Sequence, residues 1–193
     1  MLELVCATSN RHKLLEFQRA SGSGVRVRGC EARDCPETGS SFEENALQKA
    51  LCYSRWSESE WLFADDSGLE VDALGGAPGI LSARYAGAGS SDLVNNRLLL
   101  QRLENVPRRQ RSARFVCAIA LLRNGSLAGT FRGEAEGLIL RRHSGRRGFG
   151  YDPLFHYPPM GTSFGRLPAE VKWEHSHRGK AYRAMLDWIL RKR

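Results

Sequence analysis

Apolar residues along this chain follow two periods. The first segment, Leu2 to Ala7, is a short apolar run that predicts a buried strand, and Thr8-Ser9-Asn10 reads as the polar turn after it. From about Arg11 to Arg19 the apolar positions Leu14, Leu15 and Phe17 predict a helix with one buried face. Ser41-Phe42-Glu43-Glu44 has the form of a capping box, with Ser41 as cap and Glu44 reaching back, and starts a helix running to about Tyr53. Trp61 to Ala64 and Leu69 to Leu74 predict two strands, joined by an acidic turn at Asp65-Asp66-Ser67-Gly68. The glycines from Gly75 to Gly87 imply unusual backbone angles or close backbone packing. A helix follows over about Asp92 to Leu103, then a strand from Ser112 to Leu122. Asn124-Gly125 is a strong hairpin signal, with return strands at Leu127 to Arg132 and Glu134 to Leu140. The last helix spans about Arg178 to Leu190 and presents Tyr182, Met185, Trp188 and Ile189 to a sheet.

Chemistry concentrates at a few places in this pattern. Adjacent carboxylates at a strand end suit a hard divalent ion such as magnesium. Strand side chains alternate, so Asp65 and Asp66 need not share a role. Strand, polar turn and helix start over Thr8 to Lys13 form a plausible phosphate cradle, because a helix N-terminus offers N–H donors and positive potential. Lys13 is unfavourable for that first turn by itself, and a bound anion would relieve the conflict. Asn45 and Lys49 share a helix face, and Glu37 precedes that helix in a Pro36-Glu37-Thr38-Gly39 turn.

Composition sharpens the phosphate reading. The 193 residues carry a net charge of +8, yet only Lys13, Lys49, Lys172, Lys180 and Lys192 are lysines. An ammonium suits point contact with phosphate oxygens, where guanidinium suits planar bidentate contact. Arginines cluster at Arg108-Arg109-Gln110-Arg111 and from Arg141 to Arg147, without the interleaved aromatics of a single-strand nucleic-acid surface. Cys6, Cys30, Cys35, Cys52 and Cys117 are odd in number and contain no Cys-x-x-Cys pair, so reduced thiols are expected. No apolar run reaches membrane-spanning length, and the N-terminus reads as a strand, not a signal peptide. These features predict one α/β domain over residues 1–193, cytoplasmic, with neither membrane nor nucleic acid as partner.

Five blocks in order carry a resemblance: Thr8-Ser9-Asn10 with Lys13; Glu37-Thr38-Gly39 through Lys49-Ala50; Ala64 through Gly87; Phe149 through Phe155; and Lys172 with Ser176-His177-Arg178. Together they resemble the inosine triphosphate pyrophosphatase family, and most closely its bacterial branch acting on XTP and dITP. The resemblance implies an elongated, mixed, twisted sheet flanked by helices, with a nucleotide cleft between two lobes, and a homodimer. It implies magnesium-dependent hydrolysis of ITP, dITP or XTP to the monophosphate and pyrophosphate. Thr8, Ser9, Asn10, Arg11, His12 and Lys13 would bind phosphates, with Lys49 beside the scissile bond. Asp66 would be general base and metal ligand, Glu37 a second ligand, Ser67 a substrate contact and Asp65 a supporting carboxylate. Phe149, Gly150, Tyr151, Asp152 and Lys172 would address base and sugar, with His177 and Arg178 at the purine edge.

The chain departs from the family pattern at His12, where glycine is usual, at Gly165-Arg166-Leu167, where an acidic residue is usual, and at the bulky Trp173 and His175. His12 is expected near the triphosphate and Trp173 and His175 at the pocket rim. Two rivals are a Maf-like pyrophosphatase, against which the Phe149 loop and Ser176-His177-Arg178 argue, and a basic nucleic-acid-binding module.

Overall fold

The computed structural model describes residues 1–192. Seven strands form one sheet in the order β2-β1-β3-β4-β5-β6-β7, with β1 Leu2–Cys6, β2 Val25–Gly29, β3 Trp61–Val71, β4 Ser112–Arg123, β5 Ser126–Ile139, β6 Phe155–Tyr157 and β7 Thr162–Ser163. β1 runs parallel to β2 and β3, whereas β6 runs antiparallel to β5 and β7, so the sheet is mixed. Helices are α1 Arg11–Ala20, α2 Phe42–Ser54, α3 Asp92–Arg102, α4 Ala169–His175 and α5 His177–Arg191. The expected α/β class with a mixed sheet and helices holds. No helix among the described residues is long and apolar enough to cross a membrane.

Contacts divide the chain into two compact units, one of residues 1–66, 117–133 and 177–193, the other of residues 67–116 and 134–176. In the first unit, Val5, Ala7, Ala46, Ala50, Tyr53, Leu62, Ala64, Ala120 and Leu122 form one buried cluster. Phe17, Phe63 and Tyr182 meet nearby, with Phe17 edge-on to Phe63 at 5.0 Å between ring centroids. Burial pushes the Tyr182 hydroxyl up to about 12 despite its contact with Ser21. In the second unit, Leu69, Leu99, Leu103, Phe115, Phe155, Phe164 and their neighbours fill the core.

Several elements differ from the sequence pattern. Residues 65–68 are not a turn: β3 continues through them to Val71, and Asp65 and Asp66 are both buried. Turn-forming residue types misled here because cations from elsewhere in the fold neutralise a charge that local pattern alone would send to solvent. β5 is likewise one strand through Gly133. That glycine serves a close approach: a Cβ there would lie 2.2 Å from the His177 carbonyl oxygen and 2.6 Å from the Ala181 nitrogen. At the other end of the same hairpin, Asn124 and Gly125 both adopt positive φ, 49° and 77°, as a two-residue primed turn requires. The capping box is shifted. Ser41 accepts from the Glu44 N–H at 3.2 Å, but Glu44 reaches back to the Ser40 N–H, at 2.6 Å. β2, β6, β7 and α4 were not apparent in the pattern. β2 is a short edge strand whose Arg26 and Arg28 face solvent, and the others are too short to show a period.

The cysteine expectation is overturned for one pair. Cys35 and Cys52 form a disulfide with Cα atoms 6.0 Å apart, while Cys6, Cys30 and Cys117 are not disulfide-bonded. Cys35 lies in an irregular segment that folds back along α2, a juxtaposition that spacing cannot reveal.

Two outcomes follow. Gly133→Ala should lower unfolding stability by about 1–3 kcal/mol through overpacking, read as a shifted urea midpoint. Cys52→Ser should lower it by about 3 kcal/mol, the chain-entropy value for a loop of this size, and a reductant should then change the variant's midpoint no further.

Candidate active site

The first unit gathers four carboxylates and three cations around the end of β1 and the middle of β3. The chain leaves β1, and Asn10 caps α1 by accepting from the His12 N–H at 3.0 Å and the Lys13 N–H at 3.2 Å. Asn10 donates its own N–H to Thr8 Oγ1 at 3.2 Å. Two of the N–H donors expected to greet a phosphate are thus taken up by the cap, and the side chains of the first turn become the available cationic groups. Ser9, Arg11 and His12 are exposed, and Thr8 is buried.

Lys13 projects from that turn to Asp65, with Nζ 2.9 Å from Oδ2. Asp65 is fully buried, and Arg178 Nε at the start of α5 lies 3.6 Å from the same oxygen. Arg178 is itself buried, and its Nη1 donates to Glu16 on α1 at 2.6 Å. Burial alone would pull the Arg178 guanidinium down, but Glu16 and Asp65 hold it well above its ordinary value.

A second arm is built along one face of α2. Asn45, Gln48, Lys49 and Cys52 all grip the segment 35–39. Asn45 Oδ1 accepts from the Gly39 N–H at 2.8 Å, Gln48 Oε1 accepts from the Thr38 N–H at 3.0 Å, Lys49 Nζ contacts Glu37 Oε1 at 2.7 Å, and Cys52 bonds Cys35. Gly39 is needed for this approach, since a Cβ would lie 2.6 Å from that of Glu44. The other end of the Asn45 amide donates to Asp66 Oδ2 at 3.1 Å. Burial pushes the Asp66 carboxyl up, Lys13 and Lys49 oppose that, and Glu37 adds to it. Burial would depress the Lys49 ammonium, yet Asp65, Glu37 and Asp66 together raise it, so it stays charged.

The second unit assembles a different cluster. Phe149 is half-buried, and Lys172 on α4 sets its Nζ 4.9 Å from the ring centroid, a cation–π contact. Lys172 is buried and donates to Asp152 Oδ2 at 2.6 Å, an oxygen that also accepts the Phe149 N–H at 2.9 Å. Gly148, at φ 76°, lets Asp152 in: a Cβ there would sit 2.0 Å from Oδ2. Gly150 hangs from α3, donating its N–H to Asp92 Oδ2 at 2.6 Å while its carbonyl accepts from Asn96 Nδ2 at 3.0 Å.

The Ham1 family model matches residues 4–188. The chain belongs to the Ham1 family. It is 45% identical over 195 residues to the dITP/XTP pyrophosphatase of Geobacter sulfurreducens, covering 98% of this chain and 97% of the relative. It is 42% identical over 195 residues to the dITP/XTP pyrophosphatase of Desulforamulus reducens, covering 98% and 96%. The Ham1 protein of Staphylococcus aureus superposes with a TM-score of 0.87 at 37% identity, covering 99% of this chain and all of that one.

This Ham1 chain distributes the expected site residues over its two units. Lys13, Glu37, Lys49, Asp66, His177 and Arg178 stand in the first; Ser67, Phe149, Gly150, Tyr151, Asp152 and Lys172 stand in the second. Arg178, expected beside the base readers, shares its recorded ion pairs with Glu16 and Asp65. Tyr151, expected to address base or sugar, is a core residue whose hydroxyl donates to the Ser82 carbonyl at 2.9 Å, and burial raises that hydroxyl strongly. His175 packs on Tyr157 at 5.7 Å between ring centroids, and Arg166 Nε donates to Ser144 Oγ at 3.0 Å. Sequence reasoning missed Glu16, Asp92 and Asn96 as supporting residues. Glu16 sits one turn after Lys13 and carried a weak signal; Asp92 and Asn96 carried none, since their targets lie more than fifty positions away.

Removing one partner of a buried ion pair leaves the other uncompensated. Lys172→Met should therefore cost about 3–5 kcal/mol in chemical denaturation. Adding Asp152→Asn to it should recover part of that loss, because the orphaned charge is gone while an acceptor for the Phe149 N–H remains. A double variant no more stable than the single one would contradict the buried pair.

Proposed function

We propose that this chain hydrolyses non-standard purine nucleoside triphosphates, ITP, dITP and XTP, to the nucleoside monophosphate and pyrophosphate. It is a hydrolase acting on a phosphoanhydride bond. The observation that carries the reading is the cluster of buried Asp65 and Asp66 and half-buried Glu37 with Lys13 and Lys49, in a chain whose curated relatives are named dITP/XTP pyrophosphatases.

Water attack on a triphosphate is opposed by the negative charge of the phosphates, so catalysis consists mainly of positioning and charge stabilisation. In the proposed reaction a water oxygen bonds to phosphorus at the α–β linkage, the bridging P–O bond breaks, and pyrophosphate departs. Asp66, raised by burial, accepts the proton of the attacking water. Asn45 fixes the orientation of its carboxylate. Lys49, whose ammonium its acidic neighbours favour, and Lys13 stabilise charge on the phosphates.

The residues fit a magnesium ion. Four carboxylates, Glu16, Glu37, Asp65 and Asp66, against three cations, Lys13, Lys49 and Arg178, leave the cluster formally one charge negative. A net-negative cluster does not attract a polyanion without an added cation. No group of three or more His, Cys, Asp or Glu among the described residues forms a closed metal cage. Magnesium asks for less, being held through one or two carboxylates with waters and substrate phosphates. Glu37 and Asp66 would hold it. Once bound, the ion would neutralise phosphate charge and lower the pKa of coordinated water.

For base selection, the half-exposed Phe149 ring offers a stacking face, with Lys172 beside it. Arg178 and His177 would favour the 6-oxygen of hypoxanthine or xanthine, an acceptor, over adenine's amine, a donor. We further place the protein in the cytoplasm as a homodimer acting on free nucleotides.

A product-resolved panel of ITP, dITP, XTP, ATP, GTP, CTP and UTP tests this. Monophosphate and pyrophosphate should form from the first three, with little from ATP, and chelation of magnesium should abolish turnover. Asp66→Asn should reduce kcat by about 10²–10⁴-fold, and Lys49→Met by about 10²–10³-fold. Orthophosphate as the first product, or a preference for pyrimidines, would overturn the assignment.

A further inference from the structure

The arginine-rich segment after β5 plays no part in the chemistry above, yet the structure gives it a definite form. Arg108, Arg141, Arg142 and Arg166, with His143 and His156, line a groove of about 610 Å³ in the second unit. Its remaining lining, Leu138, Ile139, Leu140 and Ser144, includes neither a carboxylate nor a large aromatic ring. Several arginines elsewhere find acidic partners: Arg33 with Glu31, Arg114 with Glu70, Arg123 with Glu60, Arg132 with Glu43. None of the four groove arginines forms an ion pair with a carboxylate among the described residues.

The wall that carries them is pinned in place. Ser144 donates its N–H to the Pro153 carbonyl at 2.8 Å, and Arg147 donates its own to the Gly165 carbonyl at 2.9 Å. Gly145 packs so tightly that a Cβ would lie 2.0 Å from the Gly165 oxygen. Arg166 is oriented by its bond to Ser144 Oγ, and Arg141 Nη2 reaches toward the Val106 carbonyl. Behind the groove a fifth guanidinium, that of Arg111, is buried and bonded only to backbone carbonyls in its recorded contacts, those of Leu103, Val106 and Leu140. Burial lowers its affinity for the proton, and the neighbouring Arg141 guanidinium lowers it further.

We propose that this groove is a second anion site that binds a short chain of linked phosphates, the chemistry of inorganic pyrophosphate or tripolyphosphate and of a nucleotide's phosphate tail. Guanidinium forks match phosphate oxygens bidentately, and several converging on one concave surface favour a ligand with several linked phosphates over a lone monoanion. The volume is that of a small-molecule pocket. Without aromatic platforms the groove has no means of stacking nucleobases, which argues against a nucleic-acid strand.

The test is titration calorimetry on the full chain with inorganic tripolyphosphate and no metal. A Lys13→Ala, Lys49→Ala background removes the phosphate chemistry proposed for the first unit, and one tripolyphosphate should still bind. Adding Arg141→Ala, Arg142→Ala and Arg166→Ala should weaken that event at least 10-fold. In the otherwise unaltered chain the same triple substitution should leave kcat/KM for dITP within two-fold, so this inference and the proposed activity fail separately. Arg142→Glu alone, at an exposed side chain, should also weaken binding if the triple variant does not fold. A control removing equal charge, Arg19→Ala, Arg26→Ala and Arg28→Ala, should bind normally. ATP competing as well as tripolyphosphate would identify the tail of a nucleotide as occupant; exclusion of ATP would identify the free chain. Equal binding by groove and control variants, or binding of duplex RNA but not tripolyphosphate, would overturn the proposal.

Discussion

A fully buried carboxylate in the middle of a β-strand is the constraint on which the first unit is organised. Asp65 cannot be ionised in that position unless cations accompany it, because an isolated buried charge costs several kcal/mol or more. The cations come from two helices far apart in sequence, Lys13 on α1 and Arg178 on α5. Glu16 then satisfies the other end of Arg178. β3, α1 and α5 are therefore positioned against one another by charge as well as by the Phe17, Phe63 and Tyr182 rings. Asp66, next along the strand, points the other way and is left for chemistry. Its amide partner Asn45 belongs to α2, whose same face clamps the Glu37 segment. One helix face thus sets the position of both proposed metal-binding carboxylates.

How much of this the sequence discloses depends on the range of the interaction. Period and capping signals gave β1, α1, α2, α3, β4 and α5 to within a residue or two, because they act within one or two turns of chain. Asn124-Gly125 located the hairpin for the same reason. The error at residues 65–68 is of the opposite kind. Asp-Asp-Ser-Gly is a turn by local chemistry, and it is a strand because Lys13 and Arg178, more than fifty and more than a hundred positions away, neutralise Asp65. The pattern divides β5 into two strands on either side of Gly133, whereas that glycine lets α5 approach. The Cys35–Cys52 bond was invisible since it depends on the return path of segment 35–39 along α2.

The candidate site was legible through residue types at fixed places. The scarcity of lysine pointed to Lys13, Lys49 and Lys172, and all three prove to pair with carboxylates at 2.9, 2.7 and 2.6 Å. The supporting residues were not legible. Asp92 and Asn96 hold Gly150 by contacts to backbone, which require no distinctive residue pattern. The same reasoning explains Tyr151: an aromatic in a glycine-containing loop suits a ligand platform, but its hydroxyl is needed by a buried carbonyl.

The two cations are used in different ways, and the difference has a physical basis. Each of the three lysines serves an acidic partner, Asp65, Glu37 or Asp152, in a site where a compact ammonium fits beside a single oxygen. In the resting protein those charges are matched, so a phosphate entering the first unit must share the lysines with carboxylates already present. That competition is eased only by a further cation, which is why the magnesium proposal and the lysine positions support each other. The groove at Arg108, Arg141, Arg142 and Arg166 has the reverse balance, positive charge without carboxylate partners among the described residues. It can accept an anion without competing with a carboxylate. A chain carrying both arrangements separates holding a polyphosphate, for which unpaired guanidiniums suffice, from cleaving one, for which the carboxylates that bind metal and accept a proton are indispensable.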